Sequence, residues 1–344
     1  MLLSNETISS KYDIVVLTNE QYKNVFDVFR GKIEIKACQD DIGVLAAIAQ
    51  AVKCCIHYKI KYVFPLRPFA FLKIFGITPV SWIADFQHCH YPDFFKEEEI
   101  RKRNADFRQI ARAGTPLILS SNDALKDFKN YYSQDRKNVY VAHFVSYIED
   151  ELKRLSCLNE REILESYGVS RGNYAIICNQ FWKHKNHIIV LEAIKLLKLS
   201  NWDAEFQFVF TGELSDRRNP EYIDAIKELL EDASVKASVK VLGFINRASQ
   251  LCLIKNAAFL IQPSLFEGWS TVVEDGKALN KRMILSDIAV HQEQKNENCI
   301  LFQKDNAKDL ARAVKETFLK SEEPLKTNTS LARQYSMVFE DVFK

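Results

Sequence analysis

Short apolar runs alternate with helical stretches of ten or more residues through the second half of the chain. Each run is short enough to form a buried strand. Strands that alternate with helices in this way build βαβ units, and the sheet that they form is parallel. The predicted strands lie at residues 174–178, 206–211, 239–242, 257–261, 283–286 and 299–302. The pattern therefore predicts an α/β domain that begins near Gly172.

The first half carries the same alternation in shorter pieces. Its predicted strands lie at residues 13–17, 62–65, 80–84, 116–119 and 138–142, and its predicted helices at 41–58, 97–113 and 124–132. A chain of 344 residues has room for two domains. We predict a first domain at 1–148, a polar helical connection at 149–171, a second domain at 172–325 and a C-terminal helix at 326–344.

Composition excludes several classes of protein. The hydrophobic share of 47% and the charged share of 27% are ordinary for a globular protein, and a net charge of +2 indicates no nucleic-acid binding. No apolar run is long enough to span a bilayer, and the N-terminus lacks the apolar core of a signal peptide. The eight cysteines form no CxxC pair and predict reduced residues in a cytosolic protein. The chain contains neither a G-x-G-x-x-G nor a P-loop motif.

Residues 66–75 are aromatic and basic. They are compatible with a buried turn and helix. They are also compatible with a face that touches a membrane near a lipid-linked acceptor.

The turn between the strand at 257–261 and the following helix carries Glu267, Gly268, Ser270 and Thr271. A helix that begins near Ser270 presents unpaired amides and a positive dipole end, which together favour a phosphate. Ser270 or Thr271 can equally act only as the N-cap of that helix. The residues of the turn leave both interpretations open.

Two acids bracket this turn. Glu267 precedes the helix, and Asp275 follows eight positions later with Glu274 beside it. An acid before an anion site can bind the hydroxyls of a sugar, and one further along the helix can reach a ribose. The alternative is that Glu274 and Asp275 are acids near the helix start that interact favourably with the helix dipole.

Residues 263–294, PSLFEGWSTVVEDGKALNKRMILSDIAVHQEQ, resemble the donor-site signature of retaining family 4 glycosyltransferases of the GT-B fold. The resemblance implies two Rossmann-like domains whose parallel sheets face across a cleft, the first on the acceptor side and the second holding the donor, with a C-terminal helix that packs back on the first. It implies that Glu267 contacts the transferred sugar and that Asp275 binds the ribose. The diphosphate would be bound by Gly268, Ser270, Thr271 and Val272. The family usually has Gly in place of Ser270 and Glu in place of Asp275, so Glu274 is a second candidate for the ribose.

Two further segments carry the resemblance. Residues 174–197, YAIICNQFWKHKNHIIVLEAIKLL, are similar to a family segment in which an Arg and a Lys neutralise the donor diphosphate. Lys185 matches that Lys, and Gln180 stands in place of the Arg. Lys183 is a candidate to supply the positive charge that the missing Arg would carry. Residues 241–264, VLGFINRASQLCLIKNAAFLIQPS, match the segment near the nucleobase, which adds Gly243 and Phe244; Gly212 completes the implied donor site.

The resemblance also implies a His-Asp pair at the mouth of the cleft. Ala84 and Asp85 occupy those positions here, and Asp85 and His88 are candidates to meet the acceptor hydroxyl or the donor sugar. His88, Cys89 and His90 lack a matching cluster elsewhere, so we predict no metal site. The strand and glycine-rich loop with which the family usually begins have almost no room before residue 13, which predicts a shortened first domain.

The implied activity is retaining, metal-independent transfer of a hexose from a UDP- or GDP-sugar to the hydroxyl of a saccharide or lipid-linked saccharide, with no cofactor. The implied setting is bacterial surface polysaccharide synthesis in the cytoplasm or at the inner face of the membrane. The alternative is a catalytically impaired or N-terminally truncated homologue that serves as a binding or scaffold subunit. An epimerase or a phosphorylase would rest on the shared fold alone.

Overall fold

The computed structural model describes residues 6–29, 31, 33–38, 44–146, 148, 151, 159–200, 202, 205–320 and 332–343. Within these residues, every helix is too short or too polar to cross a bilayer. Parts of the predicted 41–58 helix, of the 149–171 connection and of the C-terminal segment lie outside the described residues.

Among its described residues, the first half contains two small parallel strand pairs, β1-β2 and β3-β4, and one three-stranded parallel sheet, β5-β6-β7. The strands are β1 (Val15–Asn19), β2 (Glu34–Cys38), β3 (Tyr62–Val63), β4 (Thr78–Pro79), β5 (Ser81–Ile83), β6 (Leu117–Leu119) and β7 (Val139–Val141). The helices are α1 (Glu6–Lys11), α2 (Val44–His57), α3 (Gln87–His90), α4 (Glu97–Arg112) and α5 (Asn122–Tyr131), with 3₁₀ helices at Glu20–Phe29, Ala70–Phe75 and Pro92–Phe94.

The second half is built on one six-stranded parallel sheet. Its strands are β8 (Tyr174–Cys178), β9 (Gln207–Thr211), β10 (Val239–Val241), β11 (Phe259–Gln262), β12 (Met283–Ser286) and β13 (Cys299–Phe302). The helices are α6 (Glu160–Ser166), α7 (His187–Leu199), α8 (Pro220–Glu231), α9 (Ala233–Lys236), α10 (Arg247–Asn256), α11 (Thr271–Ala278), α12 (Ala289–Gln294) and α13 (Ala307–Leu319), with a 3₁₀ turn at Lys183–Lys185. The predicted α/β architecture is confirmed.

The strand order of this sheet is β10-β9-β8-β11-β12-β13. The chain therefore builds outwards from β8 in one direction and from β11 in the other. Such a reversal leaves a crevice at the carboxyl ends of the two central strands, where ligands of open α/β sheets bind. The turns that follow Cys178 and Gln262 lie at this crevice.

The central strands are mostly apolar because helices cover both faces of the sheet. Ile194 of α7, Ile226 of α8 and Leu310 of α13 belong to the core on one face. Leu253 of α10 and Val273 of α11 belong to the core on the other. Burial of each such side chain contributes roughly 1.5–3 kcal/mol, which fixes the strand ends and therefore the turns that they carry.

The C-terminal helix α14 (Ala332–Val342) packs on the first half of the molecule. Phe339 and Val342 share an apolar cluster with Ile8 and Val80. The hydroxyl groups of Tyr12 and Tyr62 both donate to the carbonyl oxygen of Phe343, at 2.9 Å. The end of the described chain is therefore anchored to the beginning.

Candidate functional site

Two turns meet at the crevice of the large sheet. The Leu265 N–H, after β11, donates to the His184 carbonyl, after β8, at 2.7 Å. A cavity of about 380 Å³, the inner cavity, lies against both turns. The residues of the predicted donor site that line it are Gln180, Lys185, Gly212, Phe244, Glu267, Ser270, Thr271, Val272 and Asp275. The structure thus brings together residues from four separate loops.

The Glu267 carboxylate accepts three hydrogen bonds at the wall of the inner cavity. Its Oε1 accepts hydrogen bonds from Lys185 Nζ at 2.6 Å, from Ser264 Oγ at 2.6 Å and from Gln262 Nε2 at 2.9 Å. Ser264 and Gln262 are fully buried, and Lys185 is 15% exposed. These contacts hold Glu267 and Lys185 as one ion pair at the cavity wall.

Two opposing effects act on the pKa of Glu267. Burial of the carboxyl group raises its pKa, while the adjacent charge of Lys185 lowers it, and the combined result is a pKa of about 2. The carboxylate is therefore ionised at neutral pH. Its negative charge in turn holds the Lys185 ammonium group in place.

Helix α11 begins at the inner cavity. Ser270 is its N-cap, and the Ser270 Oγ accepts from the Val273 N–H at 3.4 Å. Thr271 and Val272, which supply the preceding amides of the first turn, line the cavity. The capping interpretation and the anion-binding interpretation of this turn are thus compatible, since different amides serve each.

Asp275 has a partner that the sequence did not indicate. Arg247, the first residue of α10, forms a bidentate pair with it, with Nη1–Oδ2 at 2.5 Å and Nη2–Oδ1 at 2.6 Å. The Ser146 hydroxyl also donates to the Asp275 carboxylate. Arg247 lines the inner cavity, so the site has a second cation besides Lys185. Arg247 belongs to the segment that the resemblance places near the nucleobase, and it begins a helix after the Asn246 N-cap, but neither signal pairs it with Asp275.

Glu274 and Lys183 have other surroundings. Glu274 is buried, and its Oε1 accepts from Lys277 at 2.9 Å and from Gln294 at 3.0 Å. Lys183 pairs with Glu221 at 3.4 Å, and its ammonium group lies over the ring of Phe94. The inner cavity is lined by Asp275 and Lys185 rather than by these two residues.

A second cavity of about 930 Å³, the cleft cavity, lies between the two halves of the molecule. Asp85 and Gly268 line it, and it shares Gln180, Lys185 and Glu267 with the inner cavity. The Asp85 carboxylate pairs with Arg103 at 3.1 Å. The two cavities therefore meet at the Lys185–Glu267 pair.

His88 lies in the interior of the first half rather than in the cleft. It is 2% exposed, and its Nε2 is 3.1 Å from the Tyr132 hydroxyl. Burial lowers the pKa of its imidazole. Its neighbour His90 pairs with Asp127 at 2.7 Å. Across the described ranges of the chain, no group of three or more His, Cys, Asp or Glu side chains could hold a metal ion.

Two glycines allow close backbone contacts at the site. Gly212 has φ +122°, and a Cβ there would overlap the Asn179 carbonyl group. A Cβ at Gly268 would overlap the carbonyl group of Ala84, in the other half of the molecule. Next to it, the Trp269 indole donates to the Phe144 carbonyl at 2.8 Å. Glycine at 268 therefore permits the backbones of the two halves to lie in close contact here.

Comparison with known proteins identifies the family of the chain and its fold. A family model described as "Glycosyl transferases group 1" matches residues 159–333. No curated protein sequence matched the chain.

Solved structures share the fold over nearly the whole chain. A glycosyltransferase from Rickettsia africae has 16% identity and a TM-score of 0.67, covering 99% of this chain and 87% of that one. HepE from Anabaena in complex with UDP and glucose has 14% identity and a TM-score of 0.64, covering 95% and 87%. WaaG, a glycosyltransferase involved in lipopolysaccharide biosynthesis, has 14% identity and a TM-score of 0.60, covering 99% and 89%. These likenesses establish the GT-B fold.

Proposed function

The chain belongs to the group 1 glycosyltransferases, and we propose that it transfers a hexose from a nucleotide diphosphate sugar to an acceptor hydroxyl with retention at the anomeric carbon. The observation that carries the proposal is the Lys185–Glu267 pair at the junction of the two cavities. HepE was solved with UDP and glucose, which supports a nucleotide sugar as the donor. The role of WaaG in lipopolysaccharide biosynthesis supports a product in bacterial surface polysaccharide.

The nucleotide diphosphate occupies the inner cavity in this proposal. As the glycosidic bond breaks, negative charge grows on the leaving diphosphate. The Lys185 ammonium group and the Thr271 and Val272 amides offset that charge with groups that are already oriented. Arg247 also lines this cavity and adds positive charge there.

The transferred sugar lies at the junction of the cavities. Lys185, Gln262 and Ser264 all donate to Oε1 of Glu267, which leaves Oε2 to accept from a sugar hydroxyl. The acceptor approaches from the cleft cavity, on the same face of the sugar as the diphosphate. A diphosphate oxygen takes the acceptor proton as the new bond forms, so the step needs no separate base or metal.

In this proposal the Asp275 carboxylate has only one acceptor position left for a ribose hydroxyl. Arg247 and Ser146 already occupy three acceptor positions of its carboxylate, from a total of about four. We propose that one ribose hydroxyl accepts from Arg247 while the other donates to the remaining position on Asp275. The Arg247–Asp275 pair then recognises the ribose together.

The proposed setting is the cytoplasm, at the inner face of the membrane. Cys89, Cys178, Cys252 and Cys299 are free thiols, which supports a reducing compartment.

A third cavity supports contact with an anionic membrane. It has a volume of about 590 Å³, and Phe69, Lys73, Arg108 and Arg112 are among its lining residues. Ile74 beside it is 82% exposed. Exposed apolar side chains among cations are typical of surfaces that bind acidic lipid.

We expect the protein to float with vesicles that contain one-third phosphatidylglycerol but not with pure phosphatidylcholine. The double variant Lys73→Glu/Ile74→Ser should lose most of that flotation because it removes one cation and the exposed apolar side chain next to it. Lys227→Glu, on an exposed face of α8, is the matched control. Equal flotation of the double variant and the control would contradict the membrane contact.

The experiment that tests the proposed function is a thermal-shift and hydrolysis panel with UDP, GDP and their glucose, galactose and mannose conjugates. We expect one nucleotide at about 100 Kd to stabilise the protein by about 2.7 kcal/mol, and its cognate sugar conjugate to be slowly hydrolysed. Binding without turnover, even with acceptors, would favour the binding-subunit alternative. Absence of any nucleotide binding would contradict the proposal.

A further inference from the structure

The cleft cavity contains features that the donor chemistry leaves unused. Trp82 on β5 lines it and is 44% exposed. The Trp82 Nε1–H donates to the Ser120 hydroxyl at 3.2 Å, which fixes the edge of the indole while its surface stays accessible. Trp182, 46% exposed, lines both this cavity and the inner cavity. Large rings are normally buried, so two indoles left open in one cavity suggest a ligand.

An indole face suits one kind of ligand especially well. It is flat, apolar and electron-rich, and it costs little conformational entropy to use in binding. The C–H groups on one face of a pyranose ring match such a surface, while the hydroxyl groups around the rim need polar partners. Gln87, Ser120 and Ser215 also line the cavity and can supply them.

The charges that line the cleft cavity cancel. The cations are Arg103, Lys185, Arg217 and Arg218, and the anions are Asp85, Glu213, Asp216 and Glu267. Burial together with the charge of Lys185 lowers the pKa of His184 to about 4, so this lining residue is neutral at pH 7. An anionic acceptor would find no net positive charge here.

Three of these four cations form ion pairs with carboxylates. Arg103 pairs with Asp85 at 3.1 Å, and Arg218 pairs with Glu99 across the cleft at 2.6 Å. Lys185 is held by Glu267. A phosphate or carboxylate group that met Arg103, Arg218 or Lys185 would have to break one of these pairs. The cavity therefore favours a ligand without charge.

We propose that the cleft cavity binds an uncharged sugar residue of the acceptor and that Trp82 is the surface on which this residue packs. The assignment rests on the proposed function, because it takes the cleft cavity as the acceptor side of a transferase. It excludes acceptors whose reacting unit carries a phosphate or a carboxylate. Trp182, at the border of the two cavities, contacts both the acceptor and the donor sugar.

Saccharide binding tests the proposal directly. The neutral probes are maltose, cellobiose, lactose and N,N′-diacetylchitobiose, and the anionic probes are glucose 6-phosphate and glucuronic acid. Saturation-transfer NMR and calorimetry measure binding to the full chain, with and without UDP. We expect at least one neutral probe to bind and both anionic probes to bind at least tenfold more weakly.

The variants identify the binding surface. Trp82→Ala should raise the Kd of the bound neutral probe about tenfold, and Trp82→Phe should give an intermediate value because it keeps a smaller aromatic face. Tyr22→Ala removes an aromatic ring of similar exposure outside the cavity and should leave the Kd unchanged. The Kd for UDP should also stay unchanged in every variant, which reports that each one is folded.

Three results would overturn the proposal: equal Kd values for Trp82→Ala and Tyr22→Ala, tighter binding of an anionic probe, or no binding by any neutral probe. A failure of the donor assignment is a separate result. If neither UDP nor GDP binds, the proposed function is wrong. Saccharide binding measured without nucleotide then still decides whether the cleft cavity takes neutral sugars, with a thermal melt in place of UDP as the test of folding.

Discussion

Replacement of Lys185 by methionine is expected to slow sugar transfer by about 10²- to 10³-fold, the usual loss when one preoriented group that stabilises developing charge is removed. The Lys185 ammonium group is the cation nearest to Glu267 and lines the inner cavity. Methionine keeps most of the length of the side chain and removes the ammonium group with its charge and hydrogen-bond donors. Because the proposed partner of Lys185 is the diphosphate, the Kd for UDP should rise as well, and calorimetry measures it.

The same variant should also change how the stability of the folded protein depends on pH. Burial raises the pKa of Glu267 and the charge of Lys185 is the largest effect that lowers it, so we expect the loss of Lys185 to leave the pKa of Glu267 above its usual range. In the native protein the depressed pKa of Glu267 adds stability that is present above about pH 4.3 and is lost as the pH falls through about 2. In Lys185→Met the pKa of Glu267 is raised instead of lowered. The free energy of unfolding of this variant, relative to that of the native protein, should therefore decrease as the pH rises from 4 to 7.

Lys195→Met is the matched control for this prediction. Lys195 pairs with Asp232 on the outer surface of α7, where it is 39% exposed. Surface pairs of this kind contribute little, so transfer and UDP binding should stay within about twofold of the native values. If Lys185→Met and Lys195→Met have the same Kd for UDP, Lys185 does not contact the diphosphate.

The fold of the second half follows closely from the sequence because its signal is strong and local. The inner strands β8, β11 and β12 of the large sheet are buried on both faces, so they read as nearly continuous apolar runs between helices. The first half is different. Its strand β2 (Glu34–Cys38) carries two charged side chains among apolar ones, and the sequence did not predict it. Pairing with β1 along its whole length stabilises this strand, and periodicity contains no information about that pairing.

The candidate site was predictable where one turn carries it and unpredictable where side chains from distant segments meet. Glu267 and Ser270 lie on the same turn, so their shared location follows from the sequence. The choice between Glu274 and Asp275 depends on the phase of α11, because adjacent helical residues point about 100° apart. Arg247 joins Asp275 from a separate helix, 28 positions away in sequence. Only the tertiary structure places it in the cavity.

The first half shows a further limit of sequence reasoning. Asp85 and His88 follow the same strand, and both were candidates for the cleft. Asp85 reaches it, whereas His88 packs against Phe107 in the interior, with ring centroids 5.5 Å apart. The short helix α3 begins between them and turns the second side chain inwards. A turn of this kind leaves no periodic signal.

Glu267→Gln is expected to reduce transfer by about 10²- to 10³-fold while the Kd for UDP changes by less than about threefold. Glutamine keeps the size of the side chain and can still accept from Ser264, but it loses the charge that holds Lys185. In the proposed mechanism Glu267 contacts the sugar and not the nucleotide. A loss of turnover without a loss of UDP binding therefore separates its role from that of Lys185.

The double variant Lys185→Met/Glu267→Gln tests whether the two residues act as a unit. Removal of both partners leaves no buried charge without a counter-ion, so its stability should exceed that of Lys185→Met, and the two losses in rate should not add. Glu228→Gln, at an exposed position of α8, is the control and should leave the rate unchanged. Rate losses that multiply in the double variant would show that Lys185 and Glu267 act independently. A Kd for UDP that rises in Glu267→Gln as much as in Lys185→Met would place Glu267 at the diphosphate instead of the sugar.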